Sequence, residues 1–400
     1  MIPINKMVSG ILFVTAVLGF FIVPAPARAL STLVVDDDGM ATPTNCDALT
    51  PTYSTVSGAV AASSPGDTIK VCNGLYHEQV TITTNSITLI SVSGGATIMP
   101  PLTPMTDPKA IVRVNGATGV TITGFEISGP GIGTCGSLSY GIRVDAGGSA
   151  TIQNNHITLI RDEPFSGCQN GVGIAVGRNA ESTTGTAAIL NNVIDTYQKG
   201  GIVIDNTGSS ALIAGNEITG VASTIVIAQN GIQVSRGAKA EIRENQVDGN
   251  WFSGAFWTAT GILVFESDSV KVQGNTVSNS QTGIDMESWC WKHPSASNNQ
   301  VMQNAIDGQS DFGVTVAAFA FEGFSTCNPS ANNNKVDSNS IASENALGGD
   351  TGVFVGTDVI GDPGYDPTAY NNKVIGNTIS GYTTPIDDQG TKTKVHANVY

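Results

Sequence analysis

Through most of this chain aliphatic residues alternate with small or polar ones at period two, and no segment of the repeated region sustains the i, i+3, i+4, i+7 stripe of a helix. Two short phrases recur on top of that alternation. One is a glycine followed by an aliphatic, any residue and an aliphatic, beginning at Gly141, Gly173, Gly201, Gly231, Gly261, Gly283, Gly313 and Gly352. The other places an asparagine between aliphatic positions, at Asn155, Asn192, Asn216, Asn245, Asn275, Asn304, Asn339, Asn377 and Asn398. Strand-like phrases returning at periods in the twenties and thirties, with variable insertions between them, predict a solenoid whose coils stack on one continuous core. The asparagine is expected to sit in a sharp left-handed turn and to hydrogen-bond its copies in neighbouring coils, forming a ladder that sets coil register.

The opening of the array carries Pro65-Gly-Asp-Thr-Ile-Lys-Val71 and Gly74-Leu-Tyr-His-Glu-Gln-Val-Thr-Ile82. With the two repeated phrases, these segments resemble the right-handed parallel β-helix proteins of the pectin-lyase-like superfamily, in particular the carbohydrate-binding and sugar-hydrolysis repeat type. The resemblance implies an all-β, single-stranded, right-handed parallel β-helix with an asparagine ladder. Ser54 to Ala62 reads as a short amphipathic N-terminal helix covering the open end of the solenoid. The same resemblance implies a substrate groove along the sheet built from the glycine-led strands, walled by the loops on either side. It names no substrate, because such folds carry lyases, hydrolases, epimerases and adhesins.

Residues 1–29 combine Lys6, an apolar run from Val8 to Val23 and the small-x-small sequence Ala27-Arg28-Ala29, so a signal peptide is expected, with the mature chain starting at Leu30. Residues 30–400 then read as one β-helix domain, secreted or periplasmic, monomeric and without a membrane span. Loss of Lys6 and Arg28 takes the formal charge from -15 to -17, which disfavours nucleic acid and anionic membranes as partners. In that oxidising setting the six cysteines are expected as three disulfides. Repeat alignment pairs Cys135 with Cys168 and Cys290 with Cys327, leaving Cys46 for Cys72. Free buried thiols and a metal site are the alternatives, although no Cys-x-x-Cys spacing supports the latter.

Within each glycine-led strand the aliphatic residues point inward, so the residue between them and the residue after the second face outward. On that face Asp285 and Glu287 lie two apart on one strand, roughly 6 to 7 Å from each other, and are the candidate catalytic pair, the favoured alternative being solvated strand charges with no reaction to run. All four tryptophans fall between positions 251 and 291. Trp251, Trp257, Trp289 and Trp291, with Phe252, Phe256, Phe265, Phe319, Phe321 and Phe324, are expected to form a platform for sugar rings or, alternatively, a satellite core that packs the loops down. Lys292 and His293 stand ready as a base or as a counter-charge to a uronate. Arg113 and Arg143, stacked one coil apart beside Asp145, could grip a carboxylated sugar or simply alternate with acids on the sheet. Asp36, Asp37 and Asp38, and Asp358, Asp362 and Asp366, are acidic enough for calcium, but neither run matches a calcium loop, and solvated turns are the favoured reading.

The Trp-x-Asp-His strand of pectate lyases, the Asn-Thr-Asp, Asp-Asp and Gly-His-Gly series of polygalacturonases and the Tyr-Gly-x-Asp-Pro-His of alginate epimerases are all missing. The near match Ile360-Gly-Asp-Pro-Gly-Tyr-Asp-Pro367 lacks the histidine. A polysaccharide-binding groove, with a glycoside hydrolase or polysaccharide lyase built on it, is therefore the functional expectation. A structural or surface-display solenoid of adhesin type is the alternative.

Overall fold

Because the aliphatic positions recur coil after coil, like stacks on like: Ile142 pairs in register with Ile174, and the column continues through Ile202, Ile232, Ile262, Ile284, Val314 and Val353. Every one of these side chains is fully buried, each burial contributing about 1.5–3 kcal/mol. The computed structural model describes residues 30–38, 46, 53–343, 350–362 and 364–400. Among the described residues three long parallel sheets run side by side around the solenoid, beside a two-stranded one that pairs Gly131–Ile132 with Asp162–Glu163. A 13-stranded sheet extends from Thr32–Val35 to Lys394–His396, and an 11-stranded sheet from Gly74–His77 to Thr378–Ser380. The glycine-led strands form a second 11-stranded sheet from Val80–Ile82 to Thr384–Asp388, called the floor sheet below. Ser31–Tyr400 clusters as one unit. The expected signal peptide lies outside the described residues, and among those described no helix is long and apolar enough to cross a membrane.

The asparagine ladder is continuous. Asn245 Nδ2 donates to Asn275 Oδ1 (2.9 Å), Asn275 Nδ2 donates to Asn304 Oδ1 (3.0 Å), and equivalent links run from Asn155 to Asn398. The turn differs from expectation in one respect. The left-handed residue is the one before each ladder asparagine, as at Asn154, Asn191, Gly215, Glu244 and Gly274 with φ between 53° and 67°. The ladder residue aims both its backbone N–H and its side chain at the next Oδ1, which leaves the sharp twist to its predecessor. A second ladder is not evident from the repeated phrases. Asn299 N–H donates to Asn334 Oδ1 (2.9 Å) and Asn334 N–H to Asn372 Oδ1 (2.8 Å), all three side chains being buried.

The α-helix spans Val56–Ala62 and buries Val56, Ala59 and Val60. It starts later than Ser54 because Thr55 is the N-cap, its hydroxyl accepting the Gly58 N–H at 3.1 Å, while the Glu78 carboxylate accepts from Val56 and Ser57. Disulfides join Cys46 to Cys72, Cys135 to Cys168 and Cys290 to Cys327, with Cα separations of 5.7, 5.5 and 5.6 Å. Peptide mapping under non-reducing conditions should return these three pairs; any exchange between them would mean that the loops do not stack in this order.

Candidate functional site

On strand Thr282–Ser288 the core takes Ile284 and Met286, and the alternation leaves Asp285 and Glu287 on the outer face. Register sets Leu263 and Phe265 beside them on one side and Thr315 and Ala317 on the other. Both side chains are half-buried. Asp285 Oδ1 has no hydrogen-bond partner, and neither does the Thr315 Oγ1 on the paired position of the next strand. Two enclosed polar atoms without partners, side by side on one surface, are costly unless something else completes their hydrogen bonds.

Burial, and then the charge of Glu287, push the Asp285 carboxyl well above the usual carboxylate range. Burial raises Glu287 to about 7, against the hydrogen bond from Trp289 Nε1 to Oε2 (3.0 Å) and with the help of Glu266. Glu266 has no place in the repeat that would single it out. It is fully buried in the turn after the neighbouring strand, and its carboxylate accepts the backbone N–H groups of Trp291, Lys292 and His293 at 2.5, 2.9 and 3.0 Å. A buried acid thus pins the loop that carries the tryptophans, and a non-periodic loop contact of this kind leaves no sequence signal.

Trp289 is the hub of the ring cluster. Its ring lies 6.3 Å from Trp257 at an interplanar angle of 24°, 5.2 Å from Phe265 edge-on and 4.7 Å from Phe321, which in turn meets Phe319 at 5.9 Å. Trp257 comes from the loop leading into strand Thr260–Phe265, whereas Trp289 follows the next strand. Their stacking brings the leading loop along the floor toward the far end of the strand. Trp257 keeps 57% of its surface exposed and Trp291 41%. The structure does not gather all the expected rings. Trp251 lies on strand Gln246–Phe252 of the other 11-stranded sheet, beside Ser223, and Phe252 packs with Ala228 and Ala259. Lys292 lies over the Trp291 ring, 5.4 Å from its centre, and His293 Nδ1 is 3.2 Å from Ser295 O.

The arginines occupy a separate network at the other end of the floor. Arg143 is fully enclosed, paired with Asp145 (2.7 Å) and Glu181 and lying over the Tyr140 ring at 5.0 Å. Arg113 makes a two-pronged bond to the same Asp145 (3.0 and 2.9 Å), and its side chain is 24% exposed. Their charges are already met, which leaves Arg143 no surface for a ligand. Among the described residues no group of three or more His, Cys, Asp or Glu side chains converges to hold a metal. A shallow depression of about 490 Å³ lies over the 13-stranded sheet, lined by residues such as Ala188, Leu212, Glu241 and Lys271. It holds no cluster of reactive groups.

The chain matches the family described as "Right handed beta helix region" over residues 172–379. No curated protein sequence matches it. Among solved structures it is similar to XylC in complex with xylose, at 12% identity and TM-score 0.56, covering 92% of this chain and 83% of that one. It is similar also to an alginate lyase from Paenibacillus sp. str. FPU-7, at 13% identity and TM-score 0.53 over 84% and 99% of the two chains. A GH136 lacto-N-biosidase from Eubacterium ramulus matches at 12% identity and TM-score 0.52, over 92% and 68%. At these identities the likeness is one of fold.

Proposed function

We propose that this chain, which belongs to the right-handed β-helix family, is an exported carbohydrate-active protein that holds a polysaccharide on the floor sheet over Asp285 and Glu287. The observation that carries the reading is the exposed Trp257 face, stacked on Trp289, whose indole N–H is bonded to the Glu287 carboxylate. Aromatic faces take the apolar side of a sugar ring. In this reading Asp285, with the more strongly raised pKa, supplies a proton to the glycosidic oxygen, and Glu287, ionising near neutrality, serves as base or nucleophile. The three disulfides suit export. The xylose complex, the alginate lyase and the lacto-N-biosidase show that the same fold serves sugar chemistry elsewhere.

Trp257→Ala and Trp291→Ala test the platform by titration calorimetry on a glycan panel. Each is expected to weaken binding by about 1–3 kcal/mol while leaving the melting curve in place. If Trp257→Ala lowers the melting temperature and no glycan binds the wild type, the rings are a satellite core and the structural solenoid is the better account.

A further inference from the structure

The coils around the carboxylate pair are unusual in where their positive charge goes. Between Gly231 and Asn334 the chain has five lysines and arginines: Arg236, Lys239, Arg243, Lys271 and Lys292. Lys239, Arg243 and Lys271 lie on strands of the 13-stranded sheet, away from the floor. Arg236 is held by Asp205 at 2.7 Å, and Lys292 sits over the Trp291 ring. Among the described residues no cation shifts the pair, while Asp285, Glu287 and the buried Glu266 place three carboxyl groups in one short stretch of floor and turn.

We infer that the site takes an uncharged saccharide and rejects uronate chains. The inference rests on the glycan site proposed above and assigns its substrate class. A uronate lying over Asp285 and Glu287 would bring its carboxylates against this acidic stretch, where Lys292, set over the Trp291 ring, is the ammonium that could meet one of them and no assembled metal site lies among the described residues. A neutral sugar instead brings no charge against these carboxyl groups and offers its ring face to Trp257. The two sequence features that favour an acidic sugar, Arg113 with Arg143 and Lys292 with His293, are engaged by Asp145 and Glu181, by Trp291 and by Ser295.

The test pairs oligogalacturonates with their carboxyl-reduced counterparts of equal length, and adds xylan, mannan and glucan oligomers against alginate oligomers, all titrated into the full chain. Neutral oligomers are expected to bind, and their carboxylated partners to bind at least about tenfold more weakly. Asp285→Asn combined with Glu287→Gln should narrow that gap by strengthening uronate binding. A uronate that binds as tightly as its reduced counterpart, or tighter, overturns this inference and leaves the groove standing. Binding by no saccharide at all overturns the groove and the inference together.

Discussion

Glu287→Gln is expected to make the protein more stable than the wild type at pH 8, by about 2–3 kcal/mol, and no more stable at pH 4.5. The sign follows from the folded-state pKa, which burial raises from the ordinary 4.5 to about 7. Between those values the native state binds more protons than the unfolded chain, so this group's stabilising contribution is intact below about 4.5 and is lost as pH rises through 7. Glutamine cannot ionise, fills the same space and keeps an oxygen for the Trp289 Nε1–H. Asp285→Asn should act in the same direction, since its carboxyl is raised further by burial and by Glu287. Carboxylates held low by their partners, such as Asp162 through burial offset by Ser137 and Gln198, titrate alike in wild type and variant and cancel in the difference. Denaturant titrations at half-unit steps of pH give the measurement. A variant-minus-wild-type difference that stays flat from pH 4.5 to 8 would mean that both carboxylates are solvated and that no built site exists. On an active glycan the same variants should lose about 100- to 10,000-fold in turnover while retaining binding. Gaining stability and losing turnover together is the signature of charges kept for chemistry.

The second large effect is expected in the ladder. Asn275→Leu removes the acceptor of both the Asn245 backbone N–H and its Nδ2, and the donor to Asn304 Oδ1 and Ile242 O, all inside the solenoid. Leucine fills the volume but answers none of these groups, so a loss of about 3–5 kcal/mol is expected from several buried polar atoms left without partners. Asn398, at the end of the ladder, accepts only from Asn377 and is partly exposed, so Asn398→Leu should cost about 1 kcal/mol. Equal losses at the two positions in urea denaturation would show that the ladder does not act through its neighbours.

The ladder and the carboxylate pair draw on different levels of the molecule. Asn275 can be placed from the sequence because its neighbours Val272 and Val277 repeat the spacing seen at every ladder asparagine before Asn398. Stacking then makes a one-dimensional pattern sufficient: if the core column is right in one coil, the pairing is right in the next. For the same reason the outward direction of Asp285 and Glu287, and the pairing of cysteines in adjacent coils, are legible in the amino-acid sequence. The alternation of period two determines which face a strand residue takes, and nothing more distant is needed.

What the loops do is set by packing between coils. Trp251 and Trp257 are six positions apart, yet one ends on another sheet while the other stacks on Trp289 across the floor. Arg143 has the periodicity of an outward residue, but Tyr140, Asp145 and Glu181 close over it. Glu266 holds the loop from Trp291 to His293 through three backbone bonds that no repeat foretells. Repetition along the chain is enough to dictate the coil, its register and the direction of each strand residue, because the same nearest-neighbour interaction constrains them at every turn. Which aromatic rings meet, which charges are already satisfied and which carboxylates stand without a cation emerge only in three dimensions, because insertions of unequal length carry no period and settle by packing against whatever the neighbouring coils present.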